Sequence, residues 1–89
     1  MTEEYDNAKR AEVARVALEA FGNVTGQRDY DLLDRDNFQE IAGDLICDLL
    51  HAAGEAGLDP DTLIGIARGL YDEEVADEED EQHALRLEA

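Results

Sequence analysis

The chain has 89 residues, with 24 Asp and Glu against 7 Lys and Arg and a formal net charge of −17. This length makes one domain at most, and so acidic a chain is excluded from ordinary binding to DNA, RNA or an anionic membrane, all of which need basic side chains. The apolar share of 44% is a globular balance, and a single cysteine, Cys47, allows no intrachain disulfide.

Met1-Thr2-Glu3-Glu4-Tyr5 is polar and acidic, the reverse of a signal-peptide start. No apolar run approaches the roughly 20 residues of a membrane span, so the expected location is cytoplasmic. The first helix is predicted from Glu3 to Phe21, capped by Thr2, with Glu3, Glu4 and Asp6 at its positive end. Val13, Val16, Ala17, Ala20 and Phe21 form the expected inward stripe, with Leu18 on its border. Gly22-Asn23 reads as a left-handed stop. Val24 to Arg35 has no steady period and is expected to be a loop, with a turn that buries Tyr30, Leu32 and Leu33.

Asp36 opens the predicted second helix, with Gln39 three residues on as in a capping box. Phe38, Ile41, Ala42, Leu45, Ile46, Leu49 and Ala53 recur at helical spacing and form the clearest stripe in the chain. Gly57 is the expected stop, with Leu58 as its apolar contact. Asp59-Pro60-Asp61-Thr62 then reads as N-cap, first-position proline and acidic first turn. Leu63, Ile66, Ala67, Leu70 and Tyr71 are the inward residues of the third helix. So short a connection makes the second and third helices an antiparallel hairpin, packed through Leu45, Leu49, Leu63, Ile66 and Leu70.

Eight of the ten residues from Asp72 to Glu81 are acidic, and negative charge at a helix C-terminus opposes the dipole. The predicted organisation is therefore one helical domain over 1–76 and an acidic, partly flexible extension over 77–89. The fold class is all-α, a small three-helix domain. A core of this size is marginal alone, so a homodimer is expected.

Three constellations could carry function. On the second helix, Glu40, Asp44, Cys47, Asp48, His51 and Glu55 follow steps of three and four and share one arc. Of these, Glu40, Asp44, Asp48 and His51 are the alternative metal ligands, if a second helix faces them as in carboxylate bundles. The plain reading is a solvated face, with no metal and no cofactor. Cys47 is read as a bystander.

The second constellation is Glu40-Ile41-Ala42-Gly43-Asp44-Leu45-Ile46 followed by Gly57-Leu58-Asp59-Pro60, with Gly57 thirteen residues after Asp44. This register resembles the second half of the MazG-like nucleotide pyrophosphohydrolases. The resemblance implies helical dimers or tetramers that hydrolyse nucleoside triphosphates with Mg²⁺, held here by Glu40 and Asp44 with Asp48 assisting. The family's further Glu-x-x-Glu pair on the preceding helix is absent, since Glu12 is followed at that interval by Arg15. The same stretch is similar to small helical proteins of phages and plasmids.

The third constellation is the acid itself: Asp29, Asp31 and Asp34 in the loop, Asp44, Asp48 and Glu55 on the second helix. Spaced carboxylates on a folded surface can imitate phosphate rows and compete for a basic groove. The expected function is thus a non-catalytic inhibitor or adaptor that docks on a basic, nucleic-acid-binding protein through these six residues. A mobile-element factor of anti-CRISPR or anti-restriction type, acting as a DNA mimic, fits the size and charge. The alternatives are a MazG-like pyrophosphohydrolase, active or degenerate, and a halophilic helical subunit whose acid is environmental.

Overall fold

A computed structural model describes residues 5–88, with side chains through residue 80. These residues form three helices, α1 Asn7–Thr25, α2 Arg35–Glu55 and α3 Pro60–Glu88, and no strand occurs among them. The fold is all-α, and each helix boundary follows from local chemistry.

Asp6 caps α1 from extended backbone, its carboxylate accepting the Lys9 N–H at 2.8 Å. The cap expected at Thr2 lies outside the described residues. The helix passes through Gly22 and stops at Gly26, whose φ of +84° supplies the left-handed turn. The expected stop at Gly22-Asn23 is thereby corrected. Gly22 is a buried contact point, where a Cβ would lie 3.0 Å from the Gln27 carbonyl oxygen and 3.2 Å from Ile41 Cδ1.

Asp34, not Asp36, caps α2, accepting the Asp36 and Asn37 N–H groups at 3.0 Å. Asp36 falls in the first turn, where a carboxylate suits the dipole. The expected end at Gly57 is correct. Gly57 has φ +80° and donates its N–H to the Gly54 carbonyl, while Leu58 donates to that of Ala53, the paired bonds of a Schellman stop. Asp59 then accepts from Thr62, and Pro60 opens α3 as expected. α3 runs as one helix to Glu88, so it crosses the 76/77 boundary drawn from the sequence without a break.

The helices enclose a triangle. α2 and α3 meet near their connection, where Ala53 is buried and Leu50 and Leu63 are half-buried. The C-terminal half of α1 lies on α2 through Leu18 and Gly22 against Ile41. Its N-terminal half reaches α3, where the Asn7 side-chain amide donates to the Glu74 carbonyl at 3.0 Å and Arg10 pairs with the Glu74 carboxylate at 3.1 Å. α1 therefore bridges the open side of a splayed hairpin.

The enclosed core is small. Leu18, Ile41 and Ala53 are the buried apolar side chains among the described residues. The α1 stripe expected to face inward is reversed: Leu18 is buried, whereas Val13, Val16, Ala17 and Ala20 are exposed and Phe21 is half-buried. In the loop, Tyr30 and Leu32 are half-buried as expected, but Leu33 is exposed. The antiparallel hairpin forms, yet Leu49, Ile66 and Leu70 remain about half exposed because the helices diverge from the turn. The radius of gyration is 16.2 Å, against about 12 Å for a compact chain of this length. No helix among the described residues is long and apolar enough to cross a membrane.

Candidate acidic interface

On α2, Glu40, Asp44, Asp48, His51 and Glu55 lie along one solvent-exposed flank. The helical period places this row on the side of α2 away from Ala53, where α3 makes its contact. At 1.5 Å per residue, Glu40 to Glu55 extends about 22 Å along the axis. Neighbours in the row stand about 6 Å apart. Cys47 is exposed on the same flank.

The loop between α1 and α2 extends this flank and orders part of it. The Gln27 side-chain amide donates to Asp44 Oδ2 at 2.9 Å, fixing one carboxylate of the row. The Thr25 hydroxyl bonds to the Gln27 side-chain oxygen at 2.7 Å, so Gln27 is itself held by the end of α1. The Glu40 carboxylate, as hydrogen-bond acceptor and negative charge beside the Tyr30 hydroxyl, raises the Tyr30 pKa above the ordinary tyrosine value, with desolvation and Asp44 adding to it. Phe21, Thr25, Gln27, Asp44, Cys47 and Asp48 line a shallow depression over the junction.

All six carboxylates expected at the interface are exposed. Asp31 accepts the Leu33 N–H at 2.9 Å and Asp34 caps α2, so two of the loop acids also hold the backbone that presents them. Asp29, Asp31 and Asp34 sit in the loop before α2, and Asp44, Asp48 and Glu55 run away from it along the helix. The α2 acids form a row along the helix, whereas Asp31 lines the neighbouring groove with Glu12 and Arg15. Gln27 and Tyr30 were not expected as part of this site. Their signal in the sequence was only their place between an αL glycine and the α2 cap.

A second groove is lined by Glu12, Arg15, Val16 and Glu19 of α1 with Tyr30, Asp31, Leu32 and Leu33. Glu12 and Glu19 thus share this groove with Asp31, with Arg15 between them. Among the described residues, no three His, Cys, Asp or Glu side chains are grouped to hold a metal ion. The alternative ligand set Glu40, Asp44, Asp48 and His51 is a line along one helix, and the elements beside it present Phe21, Thr25 and Gln27 in place of further ligands.

No family model, no curated protein and no solved structure matches this chain.

Proposed function

We propose that this protein is a non-catalytic binding module that docks on a basic protein surface through the α2 flank and the preceding loop. One observation carries the reading: a row of exposed carboxylates along α2, with Asp44 held by Gln27 at 2.9 Å, on a chain of net charge −17. Rigid acids at helical spacing present a regular negative row to a groove built for a phosphate backbone. Long-range attraction draws the two together, and the fixed spacing sets register.

The partner is accordingly a nucleic-acid-binding protein, and the effect is inhibition by occupying its groove. An anti-CRISPR or anti-restriction role is one biological form of that mechanism. A pyrophosphohydrolase of the MazG type is the rival reading, but Arg15 follows Glu12 where that family has a second Glu, and α1 presents Phe21 and Thr25 beside Asp44 and Asp48 in place of the further carboxylate pair needed to hold Mg²⁺.

The test is capture on immobilised protein from a bacterial lysate, elution with rising salt, and competition between the eluted partner's own nucleic acid and this protein. The reading requires mutual displacement. Simultaneous binding of both to the partner refutes it. Folding of the protein only in molar salt would instead mark the acid as halophilic adaptation.

A further inference from the structure

The α1–α3 triangle leaves a wide apolar face without cover. On α2, Ile46 and Leu49 lie seven and four residues before buried Ala53, and on α3, Ile66 and Leu70 lie three and seven after half-buried Leu63. They continue the two stripes that meet at the hairpin end, yet each remains about half exposed, as does Phe38 at 39%. From Phe38 to Ala53 these stripes carry no charged residue, and the same holds on α3 from Leu63 to Leu70.

The surface areas say how much cover is missing. The chain exposes 7244 Å² at 9.9 kDa, whereas a compact monomer of that mass exposes about 5,200 Å². The excess of about 2,000 Å² per chain includes the projecting end of α3 and the apolar face around Ile46, Leu49, Ile66 and Leu70, and an obligate homodimer interface takes about 1,000–2,500 Å² from each chain.

We infer that a second copy of this chain seats on the α2–α3 face around Ile46, Leu49, Ile66 and Leu70, and that folding and dimerisation are one event. Charge selects this occupant. Two chains of −17 repel wherever carboxylates face each other, and this uncharged patch is where like can meet like. A two-fold axis brings the same patch from both copies together. A basic partner, by contrast, is drawn to the acidic flank on the other side of α2, which the dimer leaves free.

Sedimentation equilibrium on the full chain tests the inference, with urea unfolding at 1 and 100 µM protein. The expected result is a mass of about twice 9.9 kDa and an unfolding midpoint that rises with protein concentration. Raising NaCl from 50 to 500 mM should strengthen the dimer by screening its self-repulsion, the opposite sign to binding of a basic partner. A Leu49→Asp variant should lose the dimer, either as a monomer or by failing to fold. A wild-type monomer whose midpoint is independent of concentration overturns the inference, and so does a Leu49→Asp variant that keeps the doubled mass. Neither result bears on the acidic flank, whose salt response is read separately.

Discussion

Ile41 packs against the bare backbone of Gly22, so closely that a methyl group on that glycine would come within 3.2 Å of Ile41 Cδ1 and 3.0 Å of the Gln27 carbonyl. Ile41 is 1% exposed, the most buried large side chain described. This contact seats α1 on α2 and sets the angle at which α1 leaves for α3. It also fixes the start of the loop, because the Gln27 N–H donates to the Gly22 carbonyl at 2.8 Å.

Gly22→Ala is therefore expected to destabilise by about 1–3 kcal/mol through overpacking, despite the gain of about 1 kcal/mol in helix propensity. Gly43→Ala, where a Cβ meets nothing within 4 Å, should show the propensity gain alone. Urea unfolding of both variants at one protein concentration checks the pair. Equal effects of the two substitutions would place Gly22 outside the core.

Tyr30 gives a pH signature. Its pKa is raised chiefly by the hydrogen bond to Glu40, so the folded state keeps the phenol proton above the ordinary pKa near 10. The stability from this bond is fully present below that value and is lost as pH rises through the higher folded-state pKa. A titration followed by the Tyr30 ring resonance should show a midpoint above 10 that falls back in Glu40→Gln. A midpoint unchanged by that substitution would mean the bond is not formed in solution.

The helix ends were mostly legible where capping chemistry is local. Gly57-Leu58-Asp59-Pro60 specifies its own turn, and the structure forms it with the bonds the sequence implies. The first helix starts at Asn7 instead of Glu3 because Asp6, expected inside the first turn, takes the cap, and in α2 two acids compete for one cap and Asp34 supplants Asp36. The buried face of α1 was not legible at all. Val13, Val16, Ala17 and Ala20 make one apolar arc and Leu18, Gly22 and part of Phe21 another, and only the position of Ile41 chooses between them. At the candidate site, the acid row was readable from helical spacing. The Gln27 and Tyr30 bonds that order it depend on how the loop folds back, which no periodicity reports.

The rival enzyme reading has its own expected outcome. Incubation with each common nucleoside triphosphate and Mg²⁺ or Mn²⁺ should release no pyrophosphate, since the residues that flank Asp44 and Asp48 are Phe21, Thr25 and Gln27 and not a second carboxylate pair. Pyrophosphate release that disappears in Glu40→Gln would reverse the assignment of this flank from docking surface to catalytic site.

The central claim is that ordered acid draws this protein to a basic groove, and the association rate with the captured partner tests it most directly. Exposed charges are screened beyond about 8–10 Å at physiological salt, so the rate should fall about tenfold or more between 50 and 500 mM NaCl. Changing Asp29, Asp31, Asp34, Asp44 and Asp48 to Asn together should slow binding in the same way at low salt. Asn preserves the cap at position 34 while removing its charge, so the fold stays intact and the comparison isolates the field. Deleting the residues after Glu78 should slow it far less. A rate that is equal at both salt concentrations, or that survives the five substitutions unchanged, contradicts the account.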